Sequence, residues 1–539
     1  MAALRLYEWS KNVSQDDGSW SNDLDPSSWR GTTVFGAIAL AEALHHHGDL
    51  LSETDRSEWA VRLAQAADGY LRETFTAIDI TNINYGVSAV YAFDLIGRVL
   101  NRPDLRSRAR SLVDQIAPFF TEPNRLLSGE GKPARNVSGR GLPPVDLGYN
   151  VEESLNAAVL YALANDDDRL ASLLTVSLRR HLEFMLPDGG WDNSWGTRQF
   201  KWTYWGSRTT DGCQPAYLAM ADRDPAFALA AQRNLDLLAR TTEGGLLYGG
   251  LHYTTRGIPA CIHHTFAHAK ALAFVVDSGL DANLTNNDEA LPREAADGVR
   301  EFTEIAVWLA ARGPWRATVS AYDGSYLAEA RHDDVLHTMG GALGVLHHER
   351  LGLLTASSMP RYVLYEPRNQ QPNPDEDVAL TPRVELITGG HWFTHLYDPS
   401  SRVEWTDDGG TITVRVRTTL LAADGCAPPG GHADVDLLYQ FADDALTVRA
   451  SCGPLSASSS PALVVPIVSP TGEDLHQVSE RRIEIEKSGG TLIVESNGAM
   501  TVADRVFNMV PGVEALPLRV AMDGAEDRVV EVHVRARSH

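Results

Sequence analysis

The residues best suited to chemistry lie in one short stretch, DGGWDNSWGTRQFKWTYWGSRTTD, which runs from Asp188 to Asp211. Aromatic rings alternate there with cations and an amide, and glycines break any helical or strand period, so we predict a loop. Rings can stack on a sugar, and guanidinium groups can bind a carboxylate. The stretch therefore predicts a binding site for a ring-shaped, hydroxylated, anionic ligand, and an aromatic plug beneath a long loop is the structural alternative. The substrate-binding candidates in it are Asn193, Trp195, Arg198, Trp202 and Trp205.

Tyr204 is the candidate general base of this loop. It stands close in sequence to Arg198 and Arg208. A neighbouring cation lowers the pKa of a phenol and makes its phenolate accessible as a base. We therefore interpret Tyr204 and Arg208 as catalytic candidates, and a buried structural tyrosine is the alternative.

A second candidate group opens the helix predicted at YNVEES. Asn150 and Glu153 lie one turn apart there, on the same helix face. A side-chain amide directed at a substrate carboxylate could stabilise an enolate, so Asn150 is a catalytic candidate. The alternative is an N-cap asparagine followed by acidic first-turn residues, which the helix dipole favours.

The stretch HYTTRGIPACIHHTFAHAK supplies a third group. His263 and His264 are candidates for an acid or base, or for neutralising a substrate carboxylate. Tyr253 competes with Tyr204 for the role of catalytic phenol, and Arg256 is a further substrate-binding candidate. The HHxxxH spacing lacks an obvious carboxylate as third ligand, so we predict no metal.

A repeated helical pattern must position these groups. Between residues 28 and 313, helices recur in pairs, and the first helix of each pair is apolar nearly all round while the second has a polar face. The first helices begin near residues 33, 84, 149, 212 and 263, and the last second helix is predicted over Leu291–Ala311. This pattern predicts an incomplete (α/α) toroid of five to six hairpins, with polar chemistry at the mouth where its inner helices begin.

The pattern changes near residue 313 to alternating apolar and polar residues, with turn signals such as DDGG and SGGT. Eight or more strands without intervening helices predict an antiparallel β-sandwich. The predicted fold class is therefore α+β multidomain, with a toroid over residues 1–312 and a β-sandwich over residues 313–539. The proline-rich segment Glu366–Asp377 is expected to reach towards the toroid.

Charge and hydropathy restrict the partners. The formal net charge of −24 argues against non-specific nucleic-acid binding, which requires a basic surface. No run of eighteen apolar residues is present, so no membrane span is predicted. The N-terminus lacks a basic region followed by a long apolar core. We therefore expect a cytoplasmic protein, or a secreted or periplasmic one whose leader has been removed, and the sequence leaves its oligomeric state open.

Together these features resemble the heparinase II/III-type and alginate-type polysaccharide lyases, over nearly the whole chain. The local basis is Asn150 at the start of an inner helix, followed one hairpin later by the sequence DGGW at Asp188 and by Tyr204. The resemblance implies that Tyr204 is the catalytic acid and base, and that Asn150, with a histidine, neutralises a uronate carboxylate. It also implies that the partner is an acidic polysaccharide or oligosaccharide.

The residue inventory fits β-elimination at a uronic acid. The C5 proton is too weakly acidic to be removed unless cations or amides neutralise the adjacent carboxylate, and the reaction also needs a base and a proton donor for the departing oxygen. We therefore predict a polysaccharide lyase that uses no cofactor and leaves a 4,5-unsaturated uronate end. A glycoside hydrolase, a uronyl C5-epimerase and a non-catalytic carbohydrate-binding protein are the alternatives.

Overall fold

The computed structural model describes residues 2–22, 29–285, 289–327, 337–367, 369–375, 378–453, 455, 460–522 and 529–537. The first part of the chain is helical, and the second part is built from antiparallel sheets. This arrangement confirms the predicted α+β class. Within those ranges, no helix combines the length and the apolar character that crossing a membrane requires.

Paired helices form the first part. They are α1 (Ala2–Ser10), α2 (Arg30–His47), α3 (Glu53–Gln65), α4 (Ile83–Val99), α5 (Pro103–Val113), α6 (Leu155–Ala164), α7 (Asp168–Leu182), α8 (Gln214–Ala219), α9 (Pro225–Arg240) and α10 (Ile262–Asp277). Helices α2, α4, α6, α8 and α10 contact one another in that order, and α10 returns to contact α2. This closed ring of inner helices confirms the predicted toroid.

The helices follow from their apolar patterns. Almost every residue of α4 is buried, as expected for a helix packed on both sides. Helix α7 instead buries one stripe, which includes Leu170, Leu174 and Leu178, and leaves its other face polar. Helix α4 is therefore surrounded by protein. The inner helix α10 departs from this pattern, because only His264, His268, Ala271 and Val275 of its residues are buried.

The helix predicted over Leu291–Ala311 is wrong. Strands β5 (Gly298–Phe302) and β6 (Val307–Arg312) occupy that segment and pair antiparallel around a turn in which Ala306 has a φ of 50°. The leucine and alanines of VWLAAR suit a helix, but sheet pairing and burial outweigh this local preference. Strands therefore begin at Gly298, ahead of the domain boundary predicted at residue 313.

Among the described residues, three antiparallel sheets form the second part. The five-stranded sheet continues from β5 and β6 to β7 (Trp315–Ser320), β8 (Ala342–His348) and β9 (Gly352–Ala356). The six-stranded sheet contains β10 (Arg383–Thr388), β11 (His391–Thr394), β16 (Ala462–Val468), β20 (Met500–Val502), β21 (Val506–Asn508) and β22 (Val513–Ala521). The eight-stranded sheet contains β12 (Arg402–Asp407), β13 (Ile412–Thr419), β14 (Asp434–Phe441), β15 (Ala445–Cys452), β17 (Leu475–Ser479), β18 (Arg482–Lys487), β19 (Gly490–Ser496) and β23 (Val529–Arg537).

One apolar core joins these sheets. Trp315 of the five-stranded sheet, Val384 of the six-stranded sheet and Val414 of the eight-stranded sheet belong to the same buried cluster. The sheets therefore pack face to face, as a sandwich requires. Two short ladders lie in the helical part instead, formed by β1 (Trp202–Thr203) with β2 (Gly206–Ser207), and by β3 (Thr242–Glu243) with β4 (Leu246–Leu247).

Candidate active site

A cleft of about 820 Å³ opens at the mouth of the helical ring. Its wall combines aromatic rings with both signs of charge, and the predicted candidates Arg198 and His263 are part of it. The side chains that can contact a ligand there include Trp29, Arg30, Tyr85, Lys132, Tyr149, Glu153, Arg198, Lys201, His263, Tyr326 and Glu366. Polar chemistry thus lies where the inner helices begin, as predicted.

Tyr149 is one of the residues that line the cleft. It ends the helical turn Leu147–Tyr149, whose cap is Asp146, and a π-turn, Asn150–Ser154, separates it from α6. Lys201 Nζ donates to the Tyr149 phenol oxygen over 2.9 Å, and Thr209 is hydrogen-bonded to the same oxygen. Burial raises the pKa of Tyr149 above its usual range, although the nearby guanidinium of Arg198 acts in the opposite direction. Tyr149 is therefore a neutral phenol beside two cations.

Arg198 is clamped between two of the cleft tyrosines. Its guanidinium carbon lies 3.7 Å from the centre of the Tyr149 ring and 4.3 Å from that of the Tyr326 ring. Its Nη2 lies 2.8 Å from Oε2 of the buried Glu130. Burial acts against the charge, but the surrounding phenols and Glu130 hold the pKa of Arg198 well above its ordinary value. A fixed, permanent cation thus faces the cleft.

Glu153 adds a carboxyl group of altered acidity. It is 7% exposed, and Asn84 Nδ2 donates to its Oε2 over 2.6 Å. Burial, followed by the charge of Asp211, raises the pKa of Glu153 to about 8. At neutral pH most of this carboxyl group is therefore protonated and adds no negative charge to the cleft.

His263 supplies the imidazole of the site. It lies in the first turn of α10 and faces the cleft mouth. Desolvation lowers its pKa, against the opposing effect of Asp211. His263 is therefore a neutral imidazole at pH 7 and is able to accept a proton.

The position predicted for Tyr204 is wrong. Its side chain is fully buried in the core, and its hydroxyl donates to the two oxygens of Asp188 over 3.0 and 3.1 Å. The ring lies on the backbone of Gly190, where a Cβ would come within 2.7 Å of it. Burial and Asp188 raise the pKa of Tyr204 well above its ordinary value. These surroundings are those that the structural alternative for Tyr204 expects, and the catalytic role predicted for it stays a prediction.

The tryptophans of the aromatic loop pack in the interior and do not form a surface on which a sugar could stack. Trp195, Trp202 and Trp205 are fully buried, and so is Asn193. Trp202 Nε1 donates to a backbone carbonyl over 2.7 Å, and the Trp195 ring lies 4.9 Å from that of Phe184. Asn193 Oδ1 accepts the backbone N–H of residue 147 over 3.0 Å, which fixes the turn before Tyr149. These four residues stabilise the site from beneath and do not face the cleft.

Asn150 and His264 also lie in the interior. Asn150 Nδ2 donates to the backbone carbonyl of Leu127 over 2.7 Å and lies 3.1 Å from His181 Nε2. His264 is fully buried, and its ring lies 6.0 Å from that of Trp205. The placement predicted for Asn150 at the cavity mouth is therefore wrong, and of the two histidine candidates His264 is the one packed in the core. Tyr149 and His263, their neighbours in sequence, take the positions that face the cleft.

Arg208, Tyr253 and Arg256 dock the β part onto the helical part. Arg208 Nη1 donates to the Tyr253 hydroxyl over 2.7 Å, and both residues are buried. Arg256 is ion-paired with Asp375 at 3.2 Å and with Glu514 at 3.3 Å. The Tyr253 hydroxyl also donates to the backbone carbonyl of Met509 over 3.3 Å, and Arg208 Nη2 donates to Gln371 Oε1 over 3.2 Å. Gln371 and Asp375 belong to the proline-rich segment, which reaches the toroid as predicted and brings Glu366 into the cleft. The three residues are therefore interface residues.

The ring of paired helices, the antiparallel sheets behind it and the cationic, tyrosine-bearing cleft at its mouth define the toroid class of polysaccharide lyases. The family descriptions "Ulvan lyase N-terminal domain" and "Ulvan lyase C-terminal domain" match residues 1–294 and 299–536. A broad-specificity ulvan lyase of Formosa agariphila is 46% identical over 525 residues, which cover 96% of this chain and 81% of that protein. The chain belongs to the ulvan lyase family and is a polysaccharide lyase.

Solved structures of other lyases share the fold at low sequence identity. The chondroitin AC lyase of Streptomyces coelicolor has a TM-score of 0.52 and 14% identity, covering 95% of this chain and 67% of its own. A heparinase III gene product has a TM-score of 0.50 and 9% identity, covering 90% of this chain. This chain spans 62% of that heparinase, less than two thirds of its length. The resemblance to heparinase-like lyases is therefore confirmed for the fold.

Proposed function

We propose that the chain cleaves an acidic, uronate-containing glycan in this cleft by β-elimination, with ulvan as the first candidate substrate. The name of the Formosa agariphila relative supports ulvan. The observation that carries the chemistry is the Tyr149 phenol, which accepts a hydrogen bond from Lys201 over 2.9 Å beneath the Arg198 guanidinium. A neutral proton donor and two cations are thus held at one point.

The cations favour the most difficult step of the reaction, which is removal of the C5 proton. Removal of the C5 proton builds negative charge on the adjacent carboxylate, and fixed positive groups in a shielded cleft stabilise that charge. Arg198 and Lys201 are both nearly buried, so water screens them little. Arg30 and Lys132 extend the positive surface along the cleft. A local cationic site also draws an anionic chain towards a protein whose net charge is −24.

The positions of His263 and Tyr149 in the cleft, together with their neutral protonation states, support one assignment of the two proton transfers. The neutral imidazole of His263 takes the C5 proton, and the C–H electron pair becomes the C4–C5 double bond. The C4–O4 bond breaks, and the leaving oxygen takes the proton of Tyr149. Lys201 and Arg198 stabilise the phenolate that remains, and the proton held by His263 returns to it through solvent. The products are a new sugar hydroxyl and a 4,5-unsaturated uronate end.

Absorbance tests this proposal. The purified chain is incubated with ulvan, and with alginate, chondroitin, heparin and hyaluronan, while near-ultraviolet absorbance and reducing ends are followed. We expect both to rise together on ulvan, and Tyr149→Phe to lower the rate at least about 100-fold, as loss of a general acid does. Reducing ends without absorbance would mean hydrolysis, and binding without either would mean a non-catalytic protein.

A further inference from the structure

An ion pair joins the helical part to the β part inside the cleft. Lys201 Nζ lies 2.7 Å from Glu366 Oε2, and the two side chains are 5% and 18% exposed. Lys201 ends a short helical turn in the aromatic loop, whereas Glu366 belongs to the proline-rich segment between β9 and β10. Since the pair is shielded, ordinary salt concentrations weaken it little.

The Lys201 ammonium has an acceptor for each of its three protons. Besides Glu366, it donates to the Tyr149 oxygen over 2.9 Å and to Thr209 Oγ1 over 3.3 Å. Burial acts to raise the pKa of Glu366, but Lys201 brings it below its ordinary value, so Glu366 is an anion. The carboxylate is therefore the charged acceptor that orients the ammonium towards Tyr149.

The segment that carries Glu366 is fixed on the helical part. Gln370 Nε2 donates to the backbone carbonyl of Phe200 over 2.8 Å. Arg208 Nη2 donates to Gln371 Oε1 over 3.2 Å. The position of the carboxylate is thus set by the contact between the two parts of the chain rather than by a free loop.

We propose that Glu366 is a positioning residue: it holds the Lys201 ammonium against the Tyr149 oxygen, so that turnover in the helical part depends on the docked segment of the β part. This inference rests on the role proposed for Tyr149. Its physical basis is that Lys201 gives a phenolate formed at Tyr149 a charge-assisted hydrogen bond, in addition to the stabilisation by Arg198, only while the ammonium lies within hydrogen-bond distance. Glu366 acts through Lys201 and transfers no proton.

Four variants of the full chain test this role with ulvan as the substrate. Glu366→Ala removes the acceptor, so kcat should fall about tenfold to a hundredfold while KM stays within about threefold. Glu366→Gln keeps an oxygen at the same place and should recover most of the lost rate. Lys201→Met should be as slow as Glu366→Ala or slower, and Glu366→Ala combined with Lys201→Met should be no slower than Lys201→Met alone, because both changes act at one ammonium.

The control is Glu404→Gln, which changes an exposed carboxylate of the β part that pairs with Arg417 and should keep the wild-type kcat. Thermal unfolding of each variant separates lost turnover from lost folding. A Glu366→Ala variant with wild-type kcat, a Glu366→Gln variant as slow as Glu366→Ala, or additive losses in the double variant would overturn the inference.

Different results would refute the role proposed for Tyr149 and the role proposed for Glu366. If Tyr149→Phe keeps its kcat, the assignment of Tyr149 is refuted, and the role of Glu366 falls with it. If Tyr149→Phe is inactive and Glu366→Ala is unaffected, only the role of Glu366 is refuted.

Discussion

The guanidinium carbon of Arg198 lies 3.7 Å above the centre of the Tyr149 ring. This contact joins the loop after α7 to the turn before α6, so the phenol and its cation come from separate stretches of the chain. The loop that supplies Arg198 also contains Tyr204, yet that tyrosine points into the core. Proximity in sequence therefore pairs Arg198 with Tyr204, whereas proximity in space pairs it with Tyr149.

Tyr204→Phe should separate folding from catalysis. Its hydroxyl donates to Asp188, so its loss should lower the free energy of unfolding by about 1–3 kcal/mol, as expected for a buried hydrogen bond. Because Tyr204 does not face the cleft, kcat should stay close to that of the wild type. Chemical denaturation and initial rates on ulvan measure the two quantities, with Tyr149→Phe as the matched comparison. A folded Tyr204→Phe variant that is as inactive as Tyr149→Phe would return the catalytic role to Tyr204.

His263 should set the acidic limb of the pH–rate profile. Desolvation lowers its pKa below the ordinary value of 6.5, so the imidazole is neutral and able to accept a proton at pH 7. As pH falls through that lowered pKa, the imidazole becomes protonated and kcat/KM should decline. The limb should therefore lie below pH 6.5 in a profile measured from pH 4 to 8 with wild-type protein.

His263→Gln should lose this limb together with most of the activity. His45→Gln is the control, since His45 lies near the far end of α2 and is not among the residues that line the cleft. A His263→Gln variant with a wild-type profile would exclude His263 as the base.

The ring of helices could be read from the sequence because its signal is local and repeated. Inner helices such as α4 are apolar nearly all round, and outer helices such as α7 have one apolar stripe, so periodicity alone distinguishes them. The segment after α10 carries a local signal that is misleading. Its alanines and leucine favour a helix, and only the pairing of β5 with β6 makes it a sheet.

The sequence predicts at which end of the helical ring the cleft lies, but not which side chains face it. The cleft opens at the end of the ring where the inner helices begin, and both Arg198 and His263 line it. Whether Tyr149 or Asn150 faces the cleft depends on the π-turn that begins at Asn150, and a wider helical turn changes the direction of each side chain without changing the sequence spacing. Glu366 comes from a distant segment, so no local pattern could place it beside Lys201.

Trp29 should be the aromatic platform that the aromatic loop does not provide. It stands at the N-cap of α2, lines the cleft and is 39% exposed, in contrast to the buried tryptophans of the loop. An indole face of this kind stacks on the apolar face of a sugar ring. Trp29→Ala should therefore raise KM for ulvan by about fivefold and change kcat little, since stacking of this kind contributes roughly 1 kcal/mol. Trp405→Ala removes a similarly exposed indole on β12 and should leave KM unchanged. Equal KM values for the two variants would show that Trp29 does not bind the glycan.

Glu153 should limit binding at alkaline pH. Burial and Asp211 raise the pKa of Glu153 to about 8, so this carboxyl group is mostly neutral at pH 7 and becomes an anion as pH rises through about 8. The new charge faces the cleft and repels an anionic glycan, so KM should rise by about fivefold between pH 7 and 9, which corresponds to roughly 1 kcal/mol. Glu153→Gln cannot ionise, and its amide can still accept the hydrogen bond from Asn84, so its KM should stay constant over the same pH range.

The control is Glu404→Gln, which changes an exposed residue of β12 and should retain the wild-type rise in KM. If KM rises in Glu153→Gln as it does in the wild type, another group in the cleft carries the alkaline titration.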